Sequence, residues 1–237
     1  MNMMWKQWIQ WTTTIAVTAF FLMACNNAEI GKGADVKQST IYFDYYLTGE
    51  EDTENITLRL QYRFAGPNGT TLLLSAPSQV TLDGVVLTAD SSKMNGVYYE
   101  VMKAKEAFAG EHTIVFTDHD NNTYTEKFTF SPFSIKYNLP DTIKREDLVI
   151  NLDGLQSTDY VTILLTDTVF TNSGVNRVDT VKNGELVITR ADLDKLAPGP
   201  IYLDLFKEEE LEIENGTAEG GRFNKVFSAR KAFLLVD

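Results

Sequence analysis

The residues best suited to chemistry by type and spacing are one acidic turn, one acidic run and a few isolated side chains. Asp118-His119-Asp120-Asn121-Asn122 sets oxygen ligands at alternate positions, so Asp118, Asp120 and Asn122 are candidate calcium ligands. The sixth and twelfth loop positions are Thr123 and Thr129 instead of Gly and Glu, so this is not an EF-hand. The competing reading is the polar tip of a hairpin. His112 and His119 are the only histidines, and zinc would need further nitrogen or sulfur ligands, so both read as exposed surface residues. Ser228-Ala229-Arg230-Lys231 has the Ser-x-x-Lys spacing of an acyl-transfer nucleophile. That pair needs a helix to share a face, whereas in the strand expected here positions i and i+3 point apart. Glu208-Glu209-Glu210-Leu211-Glu212-Ile213-Glu214, followed by Asn215-Gly216 and Arg222, is the densest charge run. It reads as a long loop joining the last two strands, where carboxylates could hold a divalent cation or dock a basic partner. Glu208, Glu209, Glu210, Glu212, Glu214 and Arg222 are therefore the binding-loop candidates. No G-x-S-x-G, H-E-x-x-H, Walker or dinucleotide motif is present, and no catalytic residue or cofactor is assigned.

The elements that must position these residues read as β-strands. From Thr40 onward apolar and polar residues alternate between turn signals. In Ile56–Phe64 the leucines, Tyr62 and Phe64 share one face, and Thr57, Arg59, Gln61 and Arg63 the other. Further strands are expected at 41–47, 71–74, 79–82, 97–102, 113–117 and 124–130, with hairpin chemistry at Asp83-Gly84 and Asp120-Asn121-Asn122. Ser131-Pro132 marks a boundary, and the pattern restarts at 134–137, 148–152, 161–165, 177–181, 186–189, 201–206 and 224–236. Seven short strands in about 100 residues point to an immunoglobulin-like sandwich. An internal repeat supports two copies. In each half a strand leads through one helical turn (103–108 and 190–196) to a glycine, Gly110 or Gly199, and the penultimate strand. Thr189 and Asp192 are spaced to cap the second turn.

The only cysteine, Cys25, ends an apolar run as Leu22-Met23-Ala24-Cys25. Lys6 supplies a positive n-region, and the uninterrupted apolar stretch of about ten residues falls short of the roughly 20 that span a bilayer. This segment resembles the signal and lipobox of a bacterial lipoprotein, which implies cleavage after residue 24 and acylation of Cys25. All three tryptophans (Trp5, Trp8, Trp11) would leave with the leader, and no thiol would remain for a disulfide. Asn26 after the cysteine favours the outer membrane by the same resemblance. Residues 26–38, polar and containing Gly31 and Gly33, read as a flexible tether of roughly 20 Å.

Of 21 basic and 33 acidic residues, loss of Lys6 with the leader leaves a net charge of −13. That excludes nucleic acid, whose binding relies on Lys and Arg, and electrostatic adsorption to anionic lipid. The acyl group alone would hold the chain to a membrane.

With Asn138-Leu139-Pro140-Asp141-Thr142-Ile143, Asp179–Gly184 and Phe206–Glu210, nearly the whole chain resembles Bacteroidota lipoproteins with tandem immunoglobulin-like sandwiches. The implied organisation is a signal peptide (1–24), lipidated cysteine and tether (25–38), and sandwiches at 39–132 and 133–237. Exported proteins of this group carry O-glycans at Asp-Thr-aliphatic tripeptides, which makes Thr142, Thr168 and Thr180 candidate sites. Fold analogy alone brings no activity. The expected role is a non-enzymatic binding or scaffolding module on the outer membrane, partnered by an envelope protein or a glycan. The alternatives are an accessory subunit of a glycan-capture complex, which would expose a continuous apolar patch, and a carboxylate-dependent hydrolase.

Overall fold

The computed structural model describes residues 29–136, 139–169 and 171–237; Cys25 and its leader lie outside them. In chain order the strands are β1 (Ile30–Lys32), β2 (Ile41–Glu50), β3 (Asn55–Phe64), β4 (Thr70–Leu73), β5 (Gln79–Leu82), β6 (Val85–Val86), β7 (Ala89–Ser92), β8 (Gly96–Ala104), β9 (Gly110–Thr117) and β10 (Thr123–Phe130). Then come β11 (Ser134–Ile135), β12 (Thr142–Lys144), β13 (Leu148–Asp153), β14 (Tyr160–Asp167), β15 (Val175–Thr180), β16 (Glu185–Ile188), the helical turn α1 (Arg190–Leu193), β17 (Gly199–Glu212) and β18 (Gly221–Val236).

Both halves have immunoglobulin-like connectivity. In the first, β2–β3–β8–β7 packs on β6–β5–β9–β10, the A–B–E–D and C′–C–F–G sheets. In the second, β11–β13–β16 (A–B–E) packs on β15–β14–β17–β18 (C′–C–F–G), and β12 lies parallel to β18 as an A′ strand. The repeated turn crosses between sheets in both copies, from β8 to β9 and from β16 to β17. In the second copy Thr189 caps α1 with a complete capping box closed by Asp192. Alternation sets the core. Ile41, Phe43, Tyr45 and Leu47 point inward from β2, and Ile56, Leu58, Leu60 and Tyr62 from β3. The hydroxyls of Tyr45 and Tyr62 satisfy each other at 3.1 Å, and Tyr62 stacks on Phe116 from the opposite sheet.

The final hairpin is longer than the sequence suggests. β17 was expected to stop at Phe206 because an acidic run follows. Instead it continues to Glu212, and Glu208, Glu209, Glu210 and Glu212 are strand residues, not a loop. The reason is the neighbouring strand. Lys225 and Arg222 of β18 lie opposite Glu209 and Glu212, and Lys225 binds the Glu209 carboxylate at 2.5 Å. The extended hairpin reaches the first sandwich. Gly221–Ser228 of β18 run parallel to Phe43–Glu50 of β2, so one eleven-stranded sheet crosses both sandwiches. Phe223 and Phe227 insert into the first core, packing edge-on to Phe128 (4.9 Å) and Phe130 (5.8 Å). Gly221 permits this approach, since a Cβ there would lie 2.7 Å from the Phe43 carbonyl oxygen.

The tether is shorter than expected. β1 pairs in parallel with β4, filling an edge that alternation within β4 does not reveal. Gln38 is buried, donating to the Gly33 and Val36 carbonyls and accepting from the His119 amide. Residues 30–38 are therefore docked against the first sandwich.

Candidate ligand-binding face

Outward positions follow from the same alternation. β2 presents Tyr42, Asp44, Tyr46 and Thr48; β3 presents Thr57, Arg59, Gln61 and Arg63; β8 presents Tyr98 and Glu100. The hairpin adds Arg222 and Asn224 from β18, and Glu208, Glu210 and Glu212 from β17. Three tyrosines on polar strand positions are unusual, because aromatics normally occupy the buried parity.

These side chains hold one another in a row. Asp44 has no exposed surface although it faces outward. Its Oδ2 accepts from Arg63 Nε and its Oδ1 from Arg222 Nε, both at 2.8 Å. Arg63 also donates to Gln61 Oε1 (2.7 Å), and Gln61 Nε2 donates to the Asn95 and Val97 carbonyls. Arg222 donates to the Tyr46 hydroxyl at 2.6 Å. Hydrogen bonding to Asp44 raises the Arg222 pKa further. Burial, reinforced by the Asp44 charge, raises the Tyr46 phenol, so it remains a donor. At the other end Arg59 donates to Glu100 at 2.7 Å and lies over the Tyr98 ring, 4.7 Å from its centroid. Tyr46, Thr48, Thr57, Arg59, Gln61, Arg63, Asn95 and Glu100 enclose a shallow depression of about 490 Å³. Guanidinium, carboxylate, amide and hydroxyl groups there are fixed by internal contacts and still open on one side. That arrangement suits a ligand rich in hydroxyls.

The sequence candidates fall in different places. Arg222 belongs to the row, and Glu208, Glu210 and Glu212 lie on the same sheet face beside it. Glu209 points the other way, into the junction between sandwiches, between Lys207 (3.2 Å) and Lys225. Glu214 follows the strand, and its amide is bonded by the Glu126 carboxylate. Asp118 is buried and turned inward. Its oxygens accept from the Asp120 and Asn122 amides, the Asn122 side chain and the Tyr124 hydroxyl, so Asp118 staples the hairpin tip. Among the described residues no group of three or more His, Cys, Asp or Glu could hold a metal ion. Both histidines are half-buried, not exposed. His112 stacks on Phe108 and lies 2.7 Å from both Asp83 and the Phe108 carbonyl, because the turn before β9 folds Phe108 under it. Ser228 and Lys231 point to opposite faces of β18, as expected of a strand. Thr142 and Thr168 are exposed, and Thr180 is half-buried.

The row was partly legible. The outward set Thr57, Arg59, Gln61 and Arg63 follows from alternation, but the tyrosines on the polar parity of β2 and β8 were the missed signal.

No family model matches the chain, and no curated protein does. Among solved structures, the crystal structure of DIP-gamma IG1+IG2 is similar at 11% identity and a TM-score of 0.24, covering 79% of this chain and 94% of that one. The structure of Dpr11 IG1 bound to DIP-gamma IG+IG2 gives 10% identity and a TM-score of 0.22, over 79% and 96%. A Bacteroides ovatus mixed-linkage glucan utilization locus protein, SGBP-B, in complex with a mixed-linkage heptasaccharide gives 11% and 0.18, over 87% and 67%. At such TM-scores none of the three bears on how the face is used.

Proposed function

We propose that this chain is a non-enzymatic glycan-binding module of the cell envelope, held to the outer membrane by an acyl group on Cys25. The observation that carries the reading is the depression bounded by Tyr46, Arg59, Arg63 and Glu100 on an open sheet face. Sugars offer two chemistries at once, C–H faces that pack on aromatic rings and hydroxyls that both donate and accept. Tyr46 supplies the first. The guanidinium and carboxylate groups supply the second, and because they already bind each other they lose little freedom on binding. Asp44 and Glu100 serve to fix Arg63, Arg222 and Arg59, which is a positioning role and not acid–base chemistry.

The shared sheet gives the face a fixed orientation relative to the second sandwich, as a scaffold that presents a ligand requires. Thr142 and Thr168, both exposed, are the O-glycan sites this reading favours; an intact mass of native protein equal to the acylated polypeptide alone would remove them. Binding is tested by screening the purified chain against a panel of bacterial-envelope and plant polysaccharides, with Tyr46→Ala and Arg59→Ala as variants. Loss of retention in both, with the melting temperature held, supports the assignment. Retention by neither wild type nor variant across the panel overturns it, and turnover of any polysaccharide would make the chain a hydrolase.

A further inference from the structure

β10 and the outer half of β17 border a groove on the side of the first sandwich away from the tyrosine face. β10 pairs with β9 on one side only. β17 pairs with β14 only as far as Phe206, so from Lys207 to Glu212 its sole ladder partner is β18. Two strand edges therefore offer unpaired backbone groups to the same space. That space measures about 1030 Å³ and is walled by residues 123–127, 211–212 and 214–216. A smaller pocket of about 220 Å³ lies further along both strands, beside Thr129, Lys207, Glu209 and Lys225.

The dimensions fit one polypeptide strand. Five residues of β10 extend about 17 Å. The charge is also specific. Glu126 and Glu214 line the groove against a single Lys127, and Glu212 stands at its rim. Glu126 is half-buried beside Glu214; burial, then the Glu214 charge, raises its pKa.

We infer that the groove takes an extended, basic segment of a partner protein, which adds as a strand to the free edge of β10. The main chain of the segment would satisfy the open edge, and its Lys or Arg side chains would face Glu126 and Glu214. This inference is independent of the glycan reading, since the edge it uses, that of β10, belongs to the other sheet of the first sandwich.

The test uses the intact chain and three synthetic probes: an alternating Lys-Val peptide, the same peptide with alternate amides N-methylated, and an alternating Glu-Val peptide. Amide hydrogen exchange along β10 and titration calorimetry are the readouts. The expected result is binding of the Lys-Val peptide alone, with slowed exchange confined to Thr123–Thr129. The double variant Glu126→Gln, Glu214→Gln is expected to weaken it about tenfold, the equivalent of roughly 1.4 kcal/mol. Binding of the N-methylated peptide with equal affinity overturns strand addition. No binding up to about 1 mM, equivalent to roughly 4 kcal/mol, overturns the site. Protection of β10 that rises with protein concentration alone assigns the edge to a second copy and overturns the partner.

Discussion

Phe223→Ala is the substitution that most sharply probes how the two sandwiches are joined. Phe223 belongs to the last strand of the second sandwich, yet its ring is 1% exposed in the core of the first. It lies edge-on to Tyr45 at 5.9 Å and to Phe128 at 4.9 Å. Truncating a buried Phe costs about 3–5 kcal/mol through lost transfer energy and the residual cavity. A chain of this size shifts its melting temperature by about 2–4 °C per kcal/mol, so a cost of about 4 kcal/mol means a drop of about 8–16 °C. The location adds a qualitative signature. The strand pairing of Gly221–Ser228 with Phe43–Glu50 loses its anchor, so the single calorimetric transition expected of the wild type splits into two. Residues 26–237 contain no tryptophan, so near-UV circular dichroism reads tyrosines, and Tyr45 is the one Phe223 touches. Leu234→Ala, at a position 44% exposed on the outward face, is the control and is expected to change stability by under about 1 kcal/mol. A Phe223→Ala protein that melts within about 2 °C of wild type would refute the reasoning, because no relaxation hides a lost core ring that completely.

Asp44→Asn leaves Arg63 and Arg222 without their shared carboxylate; since both arginines keep partial solvent contact, the expected loss is about 2–3 kcal/mol, below the full penalty for a broken buried pair, and is read from urea unfolding. Glu209→Gln tests the junction by pH. Burial would raise the Glu209 carboxyl, but Lys225 and then Lys207 outweigh it and lower its pKa. A lowered folded value means the stabilisation is complete above the ordinary value of about 4.3 and is lost as pH falls through the folded one, so the wild-type advantage in melting temperature is expected at pH 7 and closes below about pH 4. Cys25→Ser is expected to move the protein from the membrane to the soluble fraction with no change in melting temperature, measured by fractionation and calorimetry.

What the sequence made legible was mostly what depends on alternation. The strands around Ile56–Phe64, the turn capped by Thr189 and the immunoglobulin-like class all follow from local pattern, because burial on one face leaves a period of two in the chain. The hairpin extension was hidden because its strand character is non-local. Glu208–Glu212 look like a solvated loop until Arg222 and Lys225 are brought alongside, and nothing within β17 announces them. Docking of Ile30–Lys32 on β4 was hidden for the same reason. Asp118 shows a third kind of limit. Alternating oxygens suit a cation and also suit the amides of a tight turn, and only the folded turn, in which the Asp120 and Asn122 amides donate to Asp118, distinguishes them. The binding face sits between these cases, its arginines visible by parity and its concavity set by which strands become neighbours.

The most direct test of the central claim is titration calorimetry of the intact chain against oligosaccharides released from whichever polysaccharide retains it, with Tyr46→Ala and Arg59→Ala measured alongside. The expected result is saturable binding by the wild type, weakened at least tenfold by each substitution while the melting temperatures hold, a loss of roughly 1.4 kcal/mol or more. Binding that survives both substitutions unchanged would contradict the account and place the ligand elsewhere on the chain.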